Sequence, residues 1–119
     1  MNFSEALLAH VRWSLRFKDA IGLKQALDVA TISAADRCEF GNWLQGEAKA
    51  KYGTLPAYAE CVAKHAHLHR VAGRVARQIN AGDRKQAEAL LHEGSAYVEA
   101  SIELGIALTK LDAELANDS

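Results

Sequence analysis

A single proline, two cysteines and two tryptophans stand among 119 residues, and no apolar run approaches the ~20 residues that would cross a bilayer. Each scarcity excludes something. So few prolines, with turn clusters just as scarce in a chain rich in Ala, Leu, Glu and Lys, point to an all-α protein. Charge of one sign is missing as well: 14 Lys and Arg stand against 15 Asp and Glu, a net −1. That balance excludes a chain whose main business is holding nucleic acid by charge, and a hydrophobic content of 50% excludes a disordered one. The N-terminal stretch MNFSEALLAHVRWSLRFKD carries Glu5 early and lacks a charged region followed by an apolar block, so no secretory signal is expected. A cytoplasmic setting is the expectation, with Cys38 and Cys61 reduced rather than joined in a disulfide. The length suits one domain over 1–119 with a core of its own.

What is present is long amphipathic periodicity. A first helix, starting after Asn2 or Ser4 and reaching residue 18 or beyond, carries the stripe Phe3, Leu7, His10, Ser14, Phe17 and Ile21 at steps of three and four. IGLKQALDVATISAAD reads equally as a helical continuation or as a loop holding a helical turn. Ser33 makes a good N-cap for a short second helix over 34–46, with Asp36 favouring its start. That helix would carry CEFGNW, residues 38–43. In KYGTLPAY, Gly53 and Thr54 close one segment and Pro56 suits the first turn of the next. A third helix over 55–80 has the stripe Tyr58, Val62, His65, His69, Ala72, Ala76 and Ile79. NAGD then forms a tight connection, Asn80 and Gly82 ending one helix and Asp83 capping the next. A fourth helix over 84–115 has Leu90, Leu91, Tyr97, Val98, Ile102, Leu104, Leu108, Leu111 and Leu115 as candidates for burial, with Gly94 and Gly105 inside it marking close helix approach. Short links between long amphipathic helices imply an antiparallel four-helix bundle in which one short helix carries Cys38.

Five histidines sort by face. His65 and His69, four apart, sit one above the other on the apolar stripe, a spacing that lets two imidazoles converge on one ion. His67 falls on the opposite face with Glu60, Lys64, Arg74 and Gln78, and His92 keeps company with Lys85, Glu88, Glu99 and Glu103; both read as solvated. His10 lies on the inward stripe of the first helix. A lone histidine there is usually a core residue hydrogen-bonded to a neighbour. Two further inward histidines and a cysteine add a second reading, because three imidazoles and a thiolate complete a tetrahedral zinc set. On helical faces alone the two readings stand level. Cys61 reads as a small core hydrophobe, and Arg70, Arg74, Arg77 and Arg84 as a solvated basic face.

HVRW at 10–13, CEFGNW at 38–43 and HAHLH at 65–69 together resemble the signature of the chemoreceptor zinc-binding (CZB) family. In that signature a His is followed three residues later by an aromatic, then come Cys-x-apolar-Gly-x-apolar and His-x-x-x-His. Here His10 pairs with Trp13, Cys38 with Phe40, Gly41 and Trp43, and His65 with His69, at intervals of 28 residues from His10 to Cys38 and 27 from Cys38 to His65. The resemblance implies a compact helical bundle in which His10, Cys38, His65 and His69 bind one Zn2+ ion. It also implies a zinc-responsive regulatory module of bacterial chemoreceptor or diguanylate cyclase pathways, commonly a homodimer, with some members responding to oxidants through the zinc-bound thiolate. Members are usually fused to a signalling or catalytic domain; here the output partner is expected on another chain.

Four protein ligands close a metal to substrate, so a sensory or structural role is expected rather than catalysis. Phe40 and Trp43 would anchor the Cys38 segment in the core, and Gly41 would let its backbone approach a neighbouring helix. Three rivals remain at this stage. A hemerythrin-like di-iron bundle wants about five histidines plus bridging carboxylates, and the chain has no Glu-x-x-His pair. A zinc hydrolase with three histidines and a water would fit the imidazoles, but no HExxH occurs. A helical interaction domain without metal would use the histidines for packing.

Overall fold

Helix-favouring residues fill the chain almost without interruption, so its elements begin and end where capping groups and turn residues fall. The computed structural model describes residues 2–117; Met1, Asp118 and Ser119, the ends of the expected 1–119 domain, lie outside the described residues. Asn2 caps α1 (Phe3–Leu23), its side-chain oxygen accepting the Glu5 N–H at 3.0 Å. Lys24 ends that helix in the left-handed region, where the Gln25 N–H turns back to the Ala20 carbonyl at 3.0 Å. Pro56 opens α5 (Pro56–Asn80) in the first turn, where its missing N–H leaves nothing unpaired. Asp83 caps α6 (Arg84–Ala89) through the Gln86 N–H, as its position implied, and Ser95 caps α7 (Ala96–Asn117) through the Val98 N–H. Every described element is helical, in line with the all-α expectation.

Two expected helices are broken. In place of one helix over 34–46 the chain forms α2 (Val29–Ser33), a single 3-10 turn at Ala35–Arg37, and α3 (Glu39–Gln45), followed by α4 (Glu47–Tyr52). Asp28 caps α2, so Ser33 ends a helix instead of starting one, and its hydroxyl is buried against Gly73 of α5 without a hydrogen-bond partner. The fourth helix stops at Ala89 and resumes at Ala96. Gly94 sits in the turn between them at φ +83°, which residues with a Cβ rarely adopt, so it is a turn glycine and not the helix-interior one expected. Gly105 does lie inside α7, beside Leu7 of α1, whereas Ile102, expected in the core, lies on the outer face of α7 and is about half exposed.

Pairwise contacts set the directions. Phe17 meets Tyr97 with ring centroids 5.5 Å apart while Leu7 lies at Gly105, so α7 runs against α1. Lys64 pairs with Glu103 at 3.4 Å and Glu60 with Lys110 at 3.6 Å, so α7 runs against α5 as well. The run from 27 to 52 descends beside α5. Asn80 exchanges two hydrogen bonds of 2.8 Å with the Leu27 backbone, and the Tyr58 hydroxyl donates to the Leu44 carbonyl at 2.7 Å. Asn80 thus pins the start of the broken run, and Tyr58 the end of α3, along one long helix. Phe17, Leu44, Leu68, Val75, Leu104 and Leu111 are fully buried at the centre. Each contributes about 1.5–3 kcal/mol, whereas the four ion pairs among the described residues lie at the surface, where water screens them, and add little. Apolar packing holds the fold.

Candidate metal centre

His10 projects inward from α1, one turn beyond Ala6, whose carbonyl accepts from His10 Nδ1 at 2.7 Å. A carbonyl can only accept, so the proton sits on Nδ1 and the Nε2 lone pair faces inward. His69 on α5 is oriented the same way by the Ile32 carbonyl of α2, 2.9 Å from its Nδ1. His65 lies one turn earlier on α5, and its Nε2 is 3.0 Å from that of His69. Two such nitrogens so close inside a buried site are favourable only with a proton or a cation between them. The rings are 4%, 2% and 1% exposed for His10, His65 and His69, deep enough that charge inside must be compensated.

Cys38 does not lie within the expected helix over 34–46 but just ahead of one. It is the N-cap of α3, in extended backbone, and its Sγ accepts the Gly41 N–H at 3.2 Å where a Ser or Asp oxygen usually stands. The backbone N–H groups of a helix start favour a thiolate, so the cap and the candidate ligand are one atom. That sulfur stands 3.2 Å from His65 Nε2, 3.5 Å from His69 Nε2 and 4.0 Å from His10 Nε2. All four candidate atoms lie within 4.8 Å of one another. Zinc bonds of ~2.0–2.1 Å to nitrogen and ~2.3 Å to sulfur put neighbouring tetrahedral donors roughly 3.3–3.6 Å apart, so the cluster fits a metal ion of that kind.

Gly41 completes the approach, both to the neighbouring helix α5, as expected, and to the turn that precedes α3. A Cβ there would collide with the Ala35 carbonyl of the preceding 3-10 turn and crowd the His65 ring at 3.2 Å. Phe40 and Trp13 wall the cluster: Phe40 packs edge-on against His65 at 5.1 Å, and Trp13 against His69 at 4.8 Å.

Burial dominates the electrostatics. It holds the pKa of His10 and His69 below the usual imidazole range and drives His65 down to about 3, the neighbouring imidazoles adding to the effect. It also pushes the Cys38 thiol up, against N–H donation from Gly41 and Phe40. The protein by itself therefore favours neutral imidazoles, whose lone pairs a cation needs, and a dication at the centre would displace the thiol proton. The cluster contains no carboxylate: neither Asp36 nor Glu39 contributes a candidate atom. His67 is half-buried and His92 exposed, both outside the cluster. Cys61 is fully buried with its pKa pushed up to about 12, and Arg70, Arg74, Arg77 and Arg84 are exposed. The carbonyls of Ala6 and Ile32 escaped the sequence reading because backbone groups leave no trace in residue type.

The family model of the chemoreceptor zinc-binding domain matches residues 10–76, a span that opens on His10 and takes in Cys38, His65 and His69. No curated protein and no solved structure matches the chain.

Proposed function

The chain belongs to the chemoreceptor zinc-binding domain family, and from that premise we propose that it is a zinc-binding sensory module of bacterial signal transduction, in a chemotaxis or cyclic-di-GMP pathway. The observation that carries the reading is the quartet itself: three buried imidazoles and one sulfur, from three separate elements, with their donor atoms within 4.8 Å. His10, Cys38, His65 and His69 would hold the ion. When bound, zinc supplies a closed four-ligand centre that stabilises the Cys38 thiolate and links α1, α3 and α5. The family is a regulatory one, and a site closed by protein donors suits sensing better than turnover.

The chain's own residues make such a centre responsive. Cys38 is half-buried, and its sulfur also starts α3. Hydrogen peroxide that transfers one oxygen to this thiolate gives the sulfenic acid, the O–O bond breaking and the second oxygen leaving as water, and so removes a ligand and weakens the α3 cap together. The moving part is then the short run around α3, antiparallel to α5, which fills the place of one helix in an antiparallel four-helix bundle. No described helix is long and apolar enough to cross a membrane, and the cytoplasm is the setting we propose. The output passes to a second copy of the chain and to a signalling partner. A homodimer is supported by the apolar side chains that α1 and α7 leave about half exposed, among them Leu8, Val11, Leu15, Ile102 and Ile106. The deciding measurement is metal identity and stoichiometry in protein purified without chelators, with X-ray absorption counting sulfur ligands. One zinc per chain with one sulfur supports the reading; two irons, zinc without sulfur, or no metal sinks it.

A further inference from the structure

The quartet is walled unevenly. Trp13 stands against His69 and His10, and Phe40 against His65 and His10, with ring centroids 4.8–6.2 Å apart, so aromatic rings close two sides. The α2 backbone lies across His69. On another side a cleft of about 210 Å³ opens between the N-terminal turns of α1 and the start of α3. His10 and Cys38 line it; His65 and His69 do not. The His10–Cys38 edge on that cleft is 4.0 Å, wider than the 3.0–3.5 Å edges among Cys38, His65 and His69. Ala9 lines the wall, and Glu5 and Glu39, both exposed, line the outer part. Neither carboxylate forms an ion pair among the described residues.

We propose that this cleft is the port through which metal ions and small reagents reach the quartet, and that Glu5 and Glu39 make it selective for cations. For its metal half the proposal rests on the zinc-binding reading above; for its thiol half it rests on the cleft alone. Carboxylates at the rim of a low-dielectric cleft focus the field inward, concentrating cations and depleting anions at Cys38. They do so without binding the ion themselves, so they set rates of loading and attack, not the final coordination. A neutral oxidant such as hydrogen peroxide would pass where an anionic one is held back.

The test uses the full chain, stripped of metal. Mixed with zinc chloride and followed by tryptophan fluorescence, to which Trp13 contributes from its place against two of the candidate ligands, the Glu5→Gln/Glu39→Gln double variant loads about three- to tenfold more slowly than the unaltered protein at low ionic strength. The difference closes at about 0.5 M salt, where the Debye length is only a few ångströms. In a second arm, Cys38 is alkylated with neutral iodoacetamide or anionic iodoacetate, and the rate ratio of neutral to anionic reagent falls several-fold in the double variant. Cys61, fully buried, stays unmodified throughout and reports that the fold is intact. Ala9→Leu, which narrows the cleft without changing charge, slows both reagents alike. Equal reagent ratios in the unaltered and double-variant proteins overturn the selectivity. An Ala9→Leu protein as reactive as the parent, or Cys61 alkylated in step with Cys38, overturns the port. A chain that takes up no zinc defeats the zinc-binding reading, while the alkylation arms still decide the port.

Discussion

At Cys38 the sulfur accepts the Gly41 N–H and also faces three imidazoles, so capping and ligation converge on one atom. Two substitutions separate them. Cys38→Ser keeps an oxygen able to cap α3, so chelator-treated protein should unfold within about 0.5 kcal/mol of the parent; Cys38→Ala removes the cap and should lose about 1 kcal/mol. Both should weaken zinc by more than about 100-fold, since even a change to a group that merely orients a ligand costs 10–100-fold. Competition titration against a zinc indicator, with urea unfolding in chelator, reads both effects; a Cys38→Ala protein with undiminished zinc affinity would remove the sulfur from the site. Gly41→Ala probes the same spot through the backbone. Its Cβ must displace the Ala35 carbonyl, which is part of the chain and cannot swing aside as a side chain would. A loss of about 1–3 kcal/mol is expected, with weaker zinc binding because the His65 ring moves too. Unchanged melting and zinc affinity would mean the 3-10 turn yields freely.

The broken run from 27 to 52 packs Ile32, Phe40, Leu44 and Ala48 into the core and is also pinned to α5 by single polar groups, of which Asn80 is the one farther from the cluster. Its two 2.8 Å hydrogen bonds fix the Leu27 backbone just before α2, and α2 in turn presents the Ile32 carbonyl to His69. Asn80→Ala should cost about 1–2 kcal/mol and lower hydrogen-exchange protection from 27 to 33 while leaving the middle of α5 protected. Equal protection in both proteins would show that the core side chain Ile32 alone holds α2. The same run marks where sequence reading stopped. Stripes at steps of three and four placed His10, His65 and His69 inward on long helices, and the structure brings these three beside Cys38. Periodicity cannot register a break that keeps the apolar phase, as at 90–95, where half-buried Leu90 and Leu91 continue the pattern up to Gly94. Ser33 and Asp28 are both good caps by residue type, but Asp28 makes the capping bonds, to Thr31, while the Ser33 hydroxyl is buried against Gly73. One signal was available for Cys38: sulfur three residues before a glycine whose N–H it accepts is a capping spacing.

For the molecule as a whole, the proposed dimer and the buried histidines make separate demands. Leu8, Val11 and Leu15 recur along α1 at steps of three and four, and Ile102 and Ile106 along α7 at a step of four. A Val11→Glu/Ile106→Glu protein should sediment as a monomer with its zinc content intact, whereas an unaltered dimer would move the interface elsewhere. The histidines impose a pH dependence whose sign follows from their burial. In the unfolded chain each imidazole takes up a proton near pH 6.5. In the folded chain burial holds His10 and His69 below that value and His65 at about 3. Stability in chelator is therefore fully present above pH 6.5 and declines as the solution is acidified, because only the unfolded state gains the protons. Each histidine that resists protonation contributes a slope approaching about 1.4 kcal/mol per pH unit; for His65 the decline continues toward its folded value of about 3. Urea midpoints should hold from pH 7.5 to about 6.5 and fall from there to pH 5, and His65→Gln should remove part of the slope. A midpoint flat across that range would mean that the imidazoles take up protons in place, and that the cluster is far wetter than its burial indicates.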